Sequence, residues 1–494
     1  MLSQFALLIL GFFSQRAMNL YMGAELVGMN GVISNVINIL SVTELGISTA
    51  IVYHLYGALA RKDEAEIASL MNLYRKAYHV FAVLVFAAGM AVLPFIHLFM
   101  KNNSYSLSYI RVLYAMWLVR TVLSYLLTYR KSLLIADQKE YIASITGLIL
   151  NVVSYLAIIL LVTWEQNYLL ALGIGTVPEV VLNIWISWYV EQKYPFLRQR
   201  RKEKSTSSLT KRIVRDLKSL FISRISEKML YCTDNLIISG FIGVGTVGRY
   251  ANYCMITQAI SNILTILANT IQPTVGDYFT EKNRQRNYEI LRQLTFGFFC
   301  IASVVSVGLF SLITPFVRDI WLGPSYELGW GITVFCIVVL LVRIMGLPLS
   351  LVMGVTGLFE KEKNVGASSA LLNLIVSLAL VKPYGMAGVL LGTLLSYLLQ
   401  ILYRYIIYFR DFLEMPGEAL RYAQDIGEYL AVIAGEVLLM QKIVPLIYGA
   451  GGMLLFCVCF LLCIAIPLLL DLVIFGRGWR LQSIVTMVKG MRKA

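Results

Sequence analysis

Three histidines and seven cysteines in 494 residues leave little from which a metal centre or a disulfide framework could be built. Cys232, Cys254, Cys300, Cys336, Cys457, Cys459 and Cys463 all fall inside apolar runs and read as small core residues. His54, His79 and His97 stand singly at the ends of such runs, without a second ligand at metal spacing, so no metal is expected. Charge is scarce as well. Only 14% of residues are charged against 58% hydrophobic, and the mean hydropathy of +0.73 lies far outside the range of soluble domains. The formal net charge of +14 does not mark a nucleic-acid binder, because the lysines and arginines sit in short clusters between apolar runs. The start, Met1-Leu2-Ser3-Gln4-Phe5-Ala6-Leu7-Leu8, has neither a basic lead nor a small-residue cleavage site, and reads as a first span instead of a removable signal.

Counting about 20 apolar residues per crossing, the chain holds fourteen spans. It is expected to be an all-α polytopic membrane protein, with two parallel six-helix lobes around a central cleft plus two C-terminal helices. The expected domains are 1–192 (spans 1–6), a basic linker at 193–218, 219–413 (spans 7–12), and 414–494, an appendage of two spans and a tail. Loops after even-numbered spans, with the tail, carry most of the 42 lysines and arginines, which places both termini in the cytoplasm. The halves repeat. Met22-Gly23-Ala24-Glu25-Leu26-Val27-Gly28 aligns with Ile242-Gly243-Val244-Gly245-Thr246-Val247-Gly248 at an offset of 220, and near offset 222 Lys139 falls on Lys361 and Asn151 on Asn373, with Arg120 within one residue of Arg343. An even number of spans per half makes the repeats parallel, related by an axis along the membrane normal.

The polar residues inside spans are not scattered. Span 7 carries Arg224, Glu227, Lys228, Tyr231, Asp234 and Asn235 at steps of three and four, hence on one helical face. A charge at mid-bilayer costs at least about 2.5 kcal/mol, so such a face is expected to line a wet cavity. Span 2 carries Asn30, Ser34, Asn38, Ser41, Glu44 and Ser48, span 8 carries Gln258, Asn262, Thr265, Asn269 and Gln272, and span 1 offers Gln15, Arg16 and Asn19. The competing reading is that these residues only hydrogen-bond between packed helices. On the cavity reading, Arg16, Arg224 and Lys228 suit an anionic cargo such as a diphosphate, with Asn30, Asn38, Asn262 and Asn269 as polar partners. The alternative for Arg224 is pairing with Glu227 and snorkelling towards the cytoplasm. Glu44 and Asp234 are the candidates for coupling to a proton or Na⁺ gradient, charge balance for the arginines being the other reading. No other cofactor is expected.

Val27-Gly28-Met29-Asn30-Gly31-Val32-Ile33-Ser34-Asn35, continuing to Glu44-Leu45-Gly46-Ile47-Ser48 and then Leu55-Tyr56-Gly57-Ala58-Leu59-Ala60, resembles the Wzx-type flippases of bacterial polysaccharide synthesis, members of the multidrug, oligosaccharidyl-lipid and polysaccharide exporter superfamily. The turns at Asp137 to Lys139 and at Glu360 to Lys363 fit the same pattern, while Ala58 stands where the family suggests proline and the cytoplasmic lead expected before span 1 is missing. The resemblance implies a non-enzymatic flippase of the bacterial cytoplasmic membrane. Such a protein turns an undecaprenyl-diphosphate-linked oligosaccharide between leaflets by alternating access, for capsule, exopolysaccharide or O-antigen synthesis. Its implied partners are that lipid-linked sugar, membrane lipids and a polysaccharide polymerase complex.

Three rivals are weighed against this. A polymerase or ligase would need a large extracytoplasmic loop, and the outer loops are short. A multidrug cation antiporter of the same fold should line its cavity with acids and aromatics. A lipid II flippase differs only in the sugar.

Overall fold

The computed structural model describes residues 2–41, 47–198, 228, 232–279, 283–358, 361, 363–449 and 451–476. Among them every element is helical. In chain order these are α1 (Leu2–Leu40), α2 (Ile47–Ala60), α3 (Glu64–Val92), α4 (Leu107–Thr128), the short α5 (Lys131–Ala136), α6 (Glu140–Trp164), α7 (Tyr168–Lys193), α8 (232–241), α9 (Val244–Tyr278), α10 (Arg284–Pro315), α11 (Trp330–Thr356), α12 (Lys363–Ile407), α13 (Pro416–Tyr448) and α14 (Met453–Phe475). Ten of the helices are long and apolar enough to cross a membrane. The protein is a multi-pass membrane protein with the all-α architecture expected from the sequence.

Two glycines divide the longest helices. Gly23 (φ 82°) breaks α1 and Gly385 (φ 59°) breaks α12, so each consists of two helical segments joined by a single residue of positive φ, where only glycine is unstrained. Polar side chains start four of the other helices. Asp63, Ser106, Asn167 and Asn283 each accept a hydrogen bond from the backbone N–H three residues on, capping α3, α4, α7 and α10.

The chain divides into two compact units, Met1–Ala251 and Asn252–Ala494, with the boundary inside α9. In the first, small residues let helices approach: Tyr114 donates to the Gly89 carbonyl at 3.1 Å between α4 and α3, and Ser154 donates to the Gly175 carbonyl at 2.6 Å between α6 and α7. The outer faces are apolar. Ile145, Ile149, Val153, Leu156 and Leu160 form an exposed stripe on α6, as lipid requires. In the second unit α10 is the buried centre, with α11, α13 and α14 packed on it. The C-terminal pair α13 and α14 is thus part of this unit's packing. Its core is aromatic at one end, where Tyr288, Tyr408, Phe409 and Tyr422 meet.

Candidate functional site

Within the first unit, the half of α1 after Gly23 presents Asn30, Ser34 and Asn38 at intervals of four, on one face. Trp117 of α4 donates its indole N–H to Asn30 Oδ1 at 3.1 Å, and the Arg120 guanidinium stacks over the Trp117 ring, 5.2 Å from its centroid. Arg120 is also paired with Glu179 of α7, Nε to Oε2 at 2.8 Å. Two turns from Asn30, Asn38 donates to Ser34 Oγ at 3.4 Å and accepts from Lys228 Nζ at 3.5 Å. Two of the expected site residues, 190 positions apart in sequence, therefore meet.

Asn30 Nδ2 and Ser41 Oγ on this face, a polar seam, are buried without a hydrogen bond from the protein, as are Asn35 Nδ2 on another side of α1 and Asn235 Oδ1 in α8. Leaving such groups unsatisfied in an apolar interior costs about 1–3 kcal/mol each, so the seam is set up to bind water or the polar part of a ligand. An ammonium flanked by amides has the donors a phosphate needs. Trp117, Arg120 and Glu179 were absent from the sequence-derived set. The in-span charge on Arg120 was the available signal, and its repeat mate Arg343 likewise stacks on a ring, 5.5 Å from Tyr397.

The other expected residues are distributed as follows. Arg16 is exposed on the face that carries Ile9, Phe13 and Leu20 and makes no ion pair with a described residue. Asp234 is buried in α8, where it has partners of its own. Arg224 and Glu44 lie outside the described residues. Asn262 and Asn269 belong to the second unit, on an α9 face where Gln258, Asn262, Thr265 and Asn269 are all exposed and Gln258 donates to Asn262 Oδ1 at 3.1 Å. Ser261 and Ala268, about 80° round the same helix, are buried.

The repeat-related glycines meet each other. A Cβ on Gly28 would stand 2.0 Å from the Val244 carbonyl oxygen, and one on Gly248 would stand 1.8 Å from that of Ala24, so the second half of α1 and the first turns of α9 cross backbone to backbone. Gly243, the mate of Gly23, also has positive φ, 143°. Beside the crossing, Val244 N donates to Lys101 O at 3.1 Å, Asn102 donates to Ile242 O at 3.0 Å, and Glu25 accepts from Ser104 N at 3.0 Å. At a polar turn elsewhere in this unit, burial alone would raise the Asp137 carboxyl. Hydrogen bonds from Lys139 and Tyr194, with the Lys139 and Lys193 charges, outweigh burial and hold it below its ordinary value.

Residues 1–279 match the sequence profile of the polysaccharide biosynthesis protein family. The chain belongs to that family. None of the curated proteins matches it in sequence. Among solved structures, this family member is similar to a structure described as lipid II flippase MurJ in an inward closed conformation, with a TM-score of 0.68 and 16% identity over 96% of this chain and 98% of that one. It is also similar to an inward-facing multidrug resistance MATE family transporter of the MOP superfamily, at TM-score 0.65 and 15% identity over 83% of this chain and 94% of that one. The MATE multidrug transporter DinF-BH aligns at TM-score 0.55 and 14% identity over 83% and 93% of the two chains. At these identities the likeness concerns the fold, and on that level the family member has the fold of MurJ and MATE transporters.

Proposed function

We propose that the protein is a flippase that carries undecaprenyl-diphosphate-linked oligosaccharide repeat units across the bacterial cytoplasmic membrane, by alternating access of two six-span lobes. The observation that carries this reading is Lys228 at Asn38, on a helix face that also bears the unsatisfied Asn30 amide and Ser41 hydroxyl, inside a member of the polysaccharide biosynthesis family. A diphosphate answers both needs, since it is anionic and rich in acceptors for Asn30 and Lys228. The sugar's hydroxyls match the amide stripe of Gln258, Asn262 and Asn269. Arg16 and Arg224 complete the cationic set, and Glu44 and Asp234 couple the cycle to a proton or Na⁺ gradient. The reaction makes and breaks no covalent bond. Both termini lie in the cytoplasm, and a polymerase complex takes the delivered unit.

Lipid II as cargo is the second reading, favoured by the full-length structural likeness to a lipid II flippase; it shares the diphosphate and differs in the sugar. A cationic drug fits poorly beside Lys228. The test is reconstitution of Lys228→Ala and Asn38→Leu. Lys228→Ala should abolish diphosphate-linked cargo transport and Asn38→Leu should reduce it, with both proteins inserting normally. Wild-type rates in both variants would remove this seam from the cargo path.

A further inference from the structure

In the second unit, α10 and α13 run parallel in a fixed register of 133 residues: Arg292 pairs with Asp425 at 2.6 Å, Phe296 meets Tyr429, and Ser303 donates to Glu436 Oε2 at 2.6 Å. α14 runs the other way beside them. Phe475 packs on Phe296, Phe299 and Tyr429, which puts Asp471, one turn back, at the level of Ser303 and Glu436. Asp471 shares the face of α14 that carries Phe475 and so looks towards Ser303 and Glu436, whose charge acts on its carboxyl.

Both acids are buried, Glu436 at 3% and Asp471 at 4% exposure. Three of their four carboxyl oxygens, Glu436 Oε1 and both of Asp471, carry no hydrogen bond from the protein, and Ser306 Oγ nearby on α10 carries none either. No basic side chain pairs with them among the described residues. Of the cations on these helices, Arg284 is paired with Glu414, Arg292 with Asp425 and Arg421 with Glu418, and Arg286 stacks on Tyr278. Lys442 is exposed and, six residues beyond Glu436, points about a third of a turn away from it. Cys300 on α10 and Tyr429 on α13 are the other titratable groups near the pair. The rings of Phe296, Phe299, Tyr429 and Phe475 stand between the two acids and the Arg292–Asp425 pair.

Two carboxylates with one donor between them cannot both stay ionised in an apolar interior where no described cation pairs with them, because each would bear a desolvation cost of several kcal/mol with no opposite charge to offset it. One proton taken up by either carboxyl removes a charge and supplies the missing O–H donor. We propose that Glu436 and Asp471 form a reversible proton-binding site, at which one carboxylate becomes a carboxylic acid with a proton drawn from water and returns it to water when the helices around it move. This site is separate from the polar seam of the first unit and does not depend on the nature of the cargo.

The test is infrared difference spectroscopy of the full chain in proteoliposomes, between mildly acidic and alkaline buffer without Na⁺. Wild type should show the C=O stretch of a protonated carboxyl that is lost in alkaline buffer. Glu436→Gln/Asp471→Asn, which mimics the neutral pair, should lack that change and unfold at the same temperature as wild type or higher. An unchanged band loss in the double variant would overturn the assignment to these residues. A wild-type band that persists throughout would overturn reversibility, and loss of the band on adding Na⁺ at constant pH would replace the proton site with a cation site.

Discussion

Replacing Gly28 by alanine tests the backbone crossing between α1 and α9 at its closest point. The new methyl would lie 2.0 Å from the Val244 carbonyl oxygen and 2.9 Å from Gly248 N, both backbone atoms that cannot rotate away. A carbon and an oxygen need about 3.4 Å or more, so the helices must separate by over an ångström. Overpacking of this kind costs about 1–3 kcal/mol. If the crossing is one state of a two-state cycle, that cost shifts the equilibrium towards the separated state by roughly 5- to 150-fold. Labelling of a cysteine placed at Val247, buried at 0% exposure, reads the shift in a background lacking the seven native cysteines. Gly28→Ala should raise its reactivity with a water-soluble thiol reagent. Gly297→Ala and Gly308→Ala on α10, where an added Cβ meets nothing, serve as controls and should be neutral or stabilising by about 1 kcal/mol. Equal reactivity in Gly28→Ala and the controls would refute the reasoning.

Arg120→Ala should cost about 1 kcal/mol, because the pair with Glu179 is partly exposed and screened, and Arg120→Glu/Glu179→Arg should recover part of it in thermal unfolding. The Asp137 carboxyl is held below its unfolded value, so its contribution to stability is fully present above that value and is lost as pH falls through the folded one; Asp137→Asn should flatten the acid limb of the stability profile. Cysteines at Asn262 and Asn269 should react with a water-soluble thiol reagent while those at Ser261 and Ala268 stay protected, and uniform protection of all four would remove the wet face of α9.

Much of the architecture was legible because membrane spans announce themselves by length and hydropathy, and the breaks at Gly23 and Gly385 coincide with gaps between apolar runs. The glycine repeat was also visible, at Gly28 and Gly248. That the two mates would touch was not, since an alignment offset says nothing of distance. The seam was half readable. The stripe of Asn30, Ser34 and Asn38 follows from helical period, whereas the pairing of Asn30 with Trp117 and of Arg120 with Glu179 depends on how α4 and α7 pack. Glu436 and Asp471 escaped notice for a physical reason: each is a single acid in an apolar run, 35 residues from the other, and only the parallel register of α10 and α13 with α14 reversed beside them brings the two together. Reading α13 and α14 as an appendage concealed the same fact.

The central claim, that the cargo is a lipid carrying a diphosphate and a sugar, is tested most directly by reconstituting the purified protein in proteoliposomes and measuring leaflet exchange of three substrates side by side: an undecaprenyl-diphosphate oligosaccharide, lipid II and a lipophilic cation. The account predicts rapid exchange of the first, abolished by Arg224→Ala and only partly restored by Arg224→Lys because an ammonium lacks the bidentate fork. Exchange of the cation alone, or of the lipid-linked oligosaccharide at an undiminished rate in Arg224→Ala, would contradict it.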